Sequence, residues 1–275
     1  FYDKRQGNVA MIIEESDLAD WKKAGRISAA ALEYGKKLIK KGSLLLDVCE
    51  AVDAKIIELG AKPSFPAQIS LNHIAAHYCP AADDTTLLDT GVCKLDVGAC
   101  FNGAMGDNAA TVDLSGKYSE LVIASEKALA EAMKVAKAGV AVGKIGAVIQ
   151  ETISSYGFSP IRNLSGHGLG KFEIHTKPTV PNFDNGDKTT LQENEIIAIE
   201  PFATTGKGVI YESSNPEVFM QASDRQARDS SVRQILDRIR SYEKLPFAKR
   251  WLLREFPALK VSIALKSLRQ QGIIQ

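Results

Sequence analysis

The sequence predicts an α+β domain built from two related halves, followed by a smaller helical subdomain. Helical patterns of apolar residues alternate with short strand-like segments as far as about residue 221. One unit of helix, glycine and strand occurs twice within this part. Residues 222–275 carry twelve Lys/Arg against five Asp/Glu, a charge of +7 that leaves −6 for the remainder, so they form a compositionally distinct segment.

The first predicted element is a long amphipathic helix, because apolar residues recur at helical spacing from residue 16 to about 40. A second helix should run from about Leu44 to Leu59 and end at Gly60. A third helix, rich in Lys and Ala, is predicted from about Ser119 to Lys137. After about Pro216, short basic helices are predicted in SSVRQILDRIRSY, FAKRWLLREF and LKVSIALKSLRQQG.

The second helix and its flanking glycines recur 97 residues later. The corresponding positions are Gly42, Val48, Val52, Ile56, Gly60 and Pro63, matched by Gly139, Ile145, Ile149, Ile153, Gly157 and Pro160. Strand-like sequence follows each copy, beginning with ISLNHIAAHY after the first. Two copies argue against a solenoid and for one domain with two halves. Such a domain tends to bind its ligand between the halves.

A hairpin is predicted in the segment KLDVGACFNGAMGDNAATVDL, with its turn at Asn102-Gly103. Its two strands would carry Asp96 and Asp107 to one region of a sheet. A single aspartate beside a turn is more often a solvated cap. The two carboxylates together with the His and Glu residues of two later segments favour a metal site instead.

Further metal-binding side chains lie in two later segments. His167 and His175 occur in SGHGLGKFEIHTKP, and Glu200 ends the apolar run NEIIAIE. Close carboxylates with a His and a further Glu can hold two divalent ions that share a hydroxide nucleophile. A lone His is more often a satisfied polar residue than a catalyst, so the interpretation depends on the whole set.

Composition excludes several other classes of protein. The chain has 275 residues with 45% hydrophobic content, enough for an ample core. It contains no run of roughly eighteen apolar residues and no basic leader, so we expect a soluble, cytoplasmic protein that does not enter membranes. Its four cysteines form no CxxC pair and should be reduced and buried. We interpret residues 1–10 as an extension before a start at Met11.

An ordered set of four segments resembles the methionine aminopeptidases, and the basic helices point to their type II, archaeal branch. The segments are FPAQISLNHIAAHYCP, KLDVGACFNGAMGDNAATVDL, NLSGHGLGKFEIHTKPTVPN and AIEPFATTGKG. The resemblance implies the pseudo-two-fold "pita-bread" fold of creatinase and the aminopeptidases, with a catalytic domain over 11–221 and an inserted basic helical subdomain over 222–275. It also implies removal of the initiator methionine from nascent proteins by hydroxide attack at a dinuclear metal site.

The same resemblance assigns the metal ligands. Asp96 is similar to the bidentate ligand of one metal, and Asp107 to the carboxylate that bridges both. His167 and Glu200 are similar to ligands of the other metal. This mixture of oxygen and imidazole suits two divalent ions of Co, Mn, Fe or Zn, and the sequence does not choose among them.

Further roles follow by motif. His77 in AAHY resembles the family histidine that contacts the scissile peptide, and His175 resembles the one that polarises the substrate carbonyl. Phe65 and Ile174 resemble walls of the apolar pocket for the methionine side chain, although either could equally be general core. His73 remains as a structural histidine.

Two departures from the family pattern stand out. Asn108 occupies a position where many relatives have Thr, and we expect it to influence the bridging Asp107. Family members end with a strand whose glutamate bridges both metals, whereas this chain stops at RQQGIIQ. Without that strand Asp96 and Asp107 alone make a poor second metal site, and we expect a chain that binds one metal or is weakly active or inactive.

Two other functions compete with this interpretation. An X-Pro dipeptidase or aminopeptidase would share the fold and the ligands. A non-catalytic RNA-binding or ribosome-binding protein on the same scaffold would use the basic helices to follow phosphates. For the aminopeptidase, the expected partners are nascent polypeptide N-termini and, transiently, the ribosome, and we expect a monomer.

Overall fold

The computed structural model describes residues 12–212, 216–227 and 229–275. Its helices are α1 (Leu18–Leu38), α2 (Leu45–Glu58), α3 (Ser119–Val135), α4 (Val142–Ser155), α5 (Ser230–Arg240), α6 (Lys249–Leu253) and α7 (Ala258–Gln270). A 3-10 turn, Glu15–Asp17, precedes α1. Among the described residues, no helix has both the length and the apolar character that a membrane crossing requires. The proposed extension before Met11 lies outside the described residues.

Five of the described strands have six to ten residues, and the others have two residues each. They are β1 (Ser43–Leu44), β2 (Lys62–Leu71), β3 (Leu87–Leu88), β4 (Val92–Phe101), β5 (Ala104–Asp113), β6 (Ser159–Pro160), β7 (Ser165–Gly170), β8 (Glu173–Pro181), β9 (Ile197–Ala198), β10 (Ala203–Thr204), β11 (Val218–Phe219) and β12 (Phe247–Ala248). One sheet has the order β2-β4-β5 and the other β8-β7-β9, and both are antiparallel.

The predicted hairpin is confirmed as β4 and β5. Asn102 and Gly103 form the two-residue loop, with φ of 52° and 86°. Asparagine and glycine tolerate these left-handed angles, which a tight hairpin turn requires at both central positions. The register that follows pairs Phe101 with Ala104 and continues without a shift along both strands.

The sequence repeat corresponds to a structural repeat. Helices α2 and α4 begin and end at matching positions, with an offset of 97 residues at both ends. Both helices bury the apolar residues on which the repeat was recognised: Val48, Val52 and Ile56 in α2, and Ile145, Ile149 and Ile153 in α4. Each helix is followed by a glycine in the left-handed region, Gly60 (φ 85°) and Gly157 (φ 79°). The two halves therefore fold from the same local pattern.

The strand prediction after the first copy needs correction. Strand β2 ends at Leu71, and the remainder of ISLNHIAAHY is not a strand. Asn72 turns the chain with a φ of 48°, and its side-chain oxygen accepts a hydrogen bond from Val92 N at 3.0 Å. The chain consequently leaves the sheet before it reaches His77.

The basic segment forms a helical subdomain with its own apolar core. Helices α5, α6 and α7 contribute most of this core, including Ile235, Leu236, Leu252, Val261 and Leu268. Strand β12 joins the segment to β11, which lies before residue 222, and Phe219 of β11 packs in the same core. The boundary at residue 222 stays a prediction. All four cysteines are free and buried, as predicted.

Candidate metal centre

Asp96 and Asp107 project from one face of the β4–β5 hairpin. Asp96 pairs with Ala109, and Gly98 pairs with Asp107. Since side chains alternate between faces along a strand, this register makes the two aspartates diagonal neighbours on the same face. The hairpin thus brings together the two carboxylates that the sequence singled out.

His167 and Glu200 approach these carboxylates from the second sheet. His167 on β7 pairs with Ala198 on β9, two residues before Glu200. The His167 Nε2 atom lies 2.9 Å from Glu200 Oε1 and 3.6 Å from Asp107 Oδ2. One ligand atom from each of Asp107, His167 and Glu200 lies within 4.8 Å of the others. Residues from both halves of the domain therefore converge on one small volume.

The orientation of the His167 ring suits metal binding. Its Nδ1 atom lies 3.0 Å from the carbonyl oxygen of Gly168, to which an Nδ1–H group would donate. Such a bond to a backbone carbonyl selects the tautomer in which Nε2 carries the lone pair. That lone pair then faces Asp107 and Glu200.

The acidic groups of the site repel one another. Burial raises the pKa of Asp107 to about 7, with the Glu200 charge adding to the rise and His167 opposing it. Burial also raises the pKa of Asp96 well above its ordinary value, and the charges of Asp107 and Glu200 raise it further. Buried like charges are costly unless a cation offsets them. The donor set and its electrostatics fit a divalent metal ion.

Binding of that ion should release protons. Burial alone lowers the pKa of His167, but the hydrogen bond and charge of Glu200 and the charge of Asp107 raise it to about 9. Below pH 7 a metal must displace protons from both His167 and Asp107, and between pH 7 and 9 from His167. Metal affinity should therefore rise about 100-fold per pH unit below pH 7 and about 10-fold per pH unit between pH 7 and 9.

Calorimetry of zinc binding in buffers of different ionisation enthalpy, at pH 6 and pH 8, measures this proton release. The variant His167→Asn should release about one proton fewer at both pH values. An affinity that is independent of pH would contradict the assignment of these two groups.

His175 lies against His167, and His77 is near enough for the charges of Glu200 and His167 to act on it. The His175 ring stacks edge-on against His167 with 4.3 Å between ring centroids. Burial, and then the charges of His167 and His77, lower the pKa of His175 to about 3, so its ring is neutral. Desolvation by the surrounding protein lowers the pKa of His77. The charge of His167 lowers it further, and the charge of Glu200 raises it. The His77 residue is exposed, with a left-handed φ of 65°, and His73 lies exposed in the preceding turn.

Phe65 and Ile174 belong to one buried apolar cluster. The other members are Trp21, Ala24, Cys100, Ala104, Met105, Leu169 and Leu245. A Cβ atom at Gly98 would lie 2.3 Å from the Phe65 ring, so this ring sits against the strand position that pairs with Asp107. The cluster therefore adjoins the face of the β4–β5 hairpin that carries Asp96 and Asp107, and the role of Phe65 and Ile174 as pocket walls stays a prediction.

The sequence interpretation missed Gln68. It pairs with Asp96 across β2 and β4, it is buried, and its Oε1 atom has no hydrogen-bond partner among the described residues. A buried carboxamide oxygen normally accepts a hydrogen bond. Because Gln68 Oε1 accepts none from the described residues, it is available to a bound ligand. A polar residue inside the otherwise apolar strand FPAQISL was the available signal.

Asn108 lies on the opposite face of the hairpin from Asp107. Its Nδ2 atom donates to Ser28 Oγ at 2.9 Å, and Ser28 donates to the carbonyl oxygen of Val97. The side chain consequently ties the hairpin to α1 and does not contact the carboxylate of Asp107.

Comparisons with known proteins agree with this site. The profile of metallopeptidase family M24 matches residues 19–228. A methionine aminopeptidase of Pyrococcus horikoshii is 41% identical over 254 residues, which cover 91% of this chain and 86% of that protein. The structure of methionine aminopeptidase from Thermotoga maritima has a TM-score of 0.68 and 31% identity, over 73% of this chain and 84% of that chain.

A solved structure of a thermophilic Arx1 covers more of the chain. Its TM-score is 0.79 over 96% of this chain and 83% of that one, and at 16% identity the likeness shows the fold alone. The pita-bread fold and the family indicated by the motifs are confirmed. The chain belongs to metallopeptidase family M24, and within it to the methionine aminopeptidases of archaeal type.

Proposed function

We propose that this chain removes the N-terminal methionine from nascent proteins by metal-dependent hydrolysis. The observation that carries the proposal is the convergence of Asp107, His167 and Glu200 within 4.8 Å in a chain of this family. The name of its relative from Pyrococcus horikoshii, methionine aminopeptidase, supports the choice of substrate.

Asp107, His167 and Glu200 would hold the first divalent ion, and Asp96 with Asp107 would hold a second. Cobalt, manganese, iron and zinc all suit these oxygen and imidazole ligands. When bound, the metal supplies Lewis-acid polarisation and a nucleophilic water at neutral pH. Asp96 and Asp107, whose pKa values are raised in the metal-free site, would become ionised ligands.

The two histidines would act on the peptide itself. Because His175 is neutral, its ring N–H can donate a hydrogen bond to the carbonyl oxygen on which negative charge develops. His77 would orient the scissile amide from the exposed side of the site. Phe65 and Ile174 would contact the methionine side chain, for which an apolar wall is the suitable surface.

Further proposals concern where and with what the chain acts. Nascent polypeptide N-termini in the cytoplasm would be its substrates, and ribosome association would be transient. We propose that the chain acts as a monomer, since the site is assembled from the two halves of one chain.

The decisive experiment is release of methionine from the peptide Met-Gly-Met-Met, with Co, Mn, Fe or Zn added separately. We expect release with at least one of these ions, loss on chelation, and recovery when the ion is restored. The N-acetylated peptide, which lacks a free amine, is the matched control and should resist cleavage.

Preferential cleavage of an Ala-Pro peptide would favour the X-Pro peptidase. Absence of both metal binding and cleavage, with retained RNA binding, would favour the non-catalytic function.

A further inference from the structure

The guanidinium of Arg250 is buried where the helical subdomain meets the catalytic domain. Arg250 lies on α6 and is 3% exposed. Its Nε atom donates to Glu50 Oε1 at 2.7 Å, and its Nη2 atom donates to Asp53 Oδ2 at 3.0 Å. Both acceptors lie on α2 of the first half. A buried arginine with two carboxylates is a charge-compensated cluster, which a single substitution disrupts.

The same guanidinium also binds the segment that carries His77. Arg250 Nη1 donates to Cys79 Sγ at 2.7 Å and to the carbonyl oxygen of Pro80 at 3.3 Å. Burial raises the pKa of Cys79 to about 11, so the acceptor is a neutral thiol. The Cys79 side chain packs within the apolar core of the helical subdomain. The chain two residues beyond His77 is therefore anchored in the subdomain and not in the sheet.

The backbone of His77 needs such an anchor. Its φ of 65° is unusual for a residue other than glycine and persists only where the surroundings hold it. The next residue, Tyr78, is fixed to β2, because its N–H donates to Ser70 Oγ and its carbonyl oxygen accepts from Ile69 N, both at 3.2 Å. Arg250 holds the two residues that follow, Cys79 and Pro80, so the chain directly after His77 is fixed by both β2 and the subdomain.

Asp53 extends the contact from Arg250 to strand β2, which carries Phe65 of the apolar cluster. Asp53 accepts from Arg250 and from Trp251 Nε1 through one oxygen, and from Ala67 N at 2.9 Å through the other. Ala67 lies between Phe65 and Gln68, where the β2 register is irregular. One guanidinium thus connects the helical subdomain to both the His77 segment and the strand beside the metal-binding face.

We propose that Arg250 is a positioning residue for His77, and that the helical subdomain supports catalysis by holding this histidine in its left-handed conformation. The expected effect on kcat rests on the proposed function. The effect of Arg250 on the conformation of His77 can be measured without any activity. The alternative is that Arg250 only stabilises the attachment of the subdomain.

The kinetic test compares Arg250→Lys with Arg254→Lys. Arg254 lies on the same side of the subdomain and pairs with Glu50, but its side chain is 52% exposed and it does not bind the His77 segment. We expect Arg250→Lys to lower kcat for Met-Gly-Met-Met about 10-fold to 100-fold, with a change in KM below about 3-fold. Arg254→Lys should leave both constants near those of the unmodified chain.

A double-mutant cycle separates positioning from stability. In a His77→Ala background, Arg250→Lys should lower kcat less than about 3-fold, since the group that it positions is gone. Losses that multiply in the double variant would overturn the proposal, because they would show that Arg250 acts independently of His77. Thermal unfolding of each zinc-loaded variant shows whether the fold is retained.

The NMR signal of the His77 ring gives a readout that does not require activity. The chain has four histidines, so a His77→Ala spectrum assigns the signal in zinc-loaded protein. The signal should shift in Arg250→Lys and not in Arg254→Lys.

If Arg250→Lys does not fold, Cys79→Ala removes one acceptor while the pairs with Glu50 and Asp53 remain, and it should shift the same signal. An unshifted signal in folded variants overturns the proposal; failure of the unmodified chain to release methionine overturns only the proposed function.

Discussion

Replacement of Asp107 by asparagine is expected to abolish metal binding and methionine release together. The Asp107 Oδ2 atom faces His167 Nε2 at 3.6 Å and would complete the ligand set with Glu200. Asparagine keeps the shape but removes the negative charge that a divalent cation requires from this ligand. We expect metal affinity to fall by at least about 100-fold, beyond the range seen for residues that only support a ligand. Mass-spectrometric metal content and the Met-Gly-Met-Met assay measure the two losses.

Asp89→Asn is the matched control for this substitution. Asp89 is an exposed carboxylate that pairs with Lys41 at 3.3 Å, so the same chemical change should leave metal content and activity intact. Retention of metal and activity in Asp107→Asn would remove Asp107 from the site.

The same variant should be at least as stable as the unmodified protein when both are metal-free at pH 8. Burial raises the pKa of Asp107 from 3.8 to about 7, so its charge destabilises the folded state as the pH rises through this window. Asparagine removes that charge. A stable fold without metal binding would therefore separate the loss of a ligand from misfolding.

The face shared by Asp96 and Asp107 could be predicted because it depends on local sequence. Asn102-Gly103 specifies a two-residue turn, and the turn determines the register of every pair along the hairpin. The repeat in α2 and α4 was likewise visible, because each copy buries residues at one helical spacing. Short-range patterns of this kind are recorded in the sequence itself.

The approach of His167 to Asp107 depends instead on how the two halves pack. The repeat indicated that a site lies between them, but no local pattern specifies a separation of 3.6 Å between atoms 60 positions apart in the chain. For this reason the sequence could name the candidate ligands by resemblance, whereas their distances required the structure.

Arg250 shows the same limit more clearly. In the sequence it is one of twelve basic residues in a segment that suggested a charged surface. In the structure it is buried, and its partners Glu50 and Asp53 lie about 200 positions earlier in the chain. Neither charge counting nor helical periodicity distinguishes a buried, paired arginine from a solvated one.

Gly166→Ala should weaken both the fold and metal binding. A Cβ atom at this position would lie 2.2 Å from the carbonyl oxygen of Ala198 and 3.2 Å from Glu200 N. Both are backbone atoms, so strands β7 and β9 would have to move apart. His167 is the next residue on β7 and pairs with Ala198, so the movement would separate His167 from Glu200. We expect a loss of about 1–3 kcal/mol in the free energy of unfolding, together with at least about 10-fold weaker metal binding.

Gly25→Ala is the matched control, because it makes the same change where there is space. Beyond the adjoining residues and the backbone of the helix itself, no atom lies within 4 Å of a Cβ at Gly25, which is inside α1. Alanine should stabilise this helix by roughly 0.5–1 kcal/mol. Urea unfolding with and without zinc measures both variants. If Gly166→Ala matched Gly25→Ala in stability and bound zinc normally, the close contact between β7 and β9 could not be what holds His167 beside Glu200.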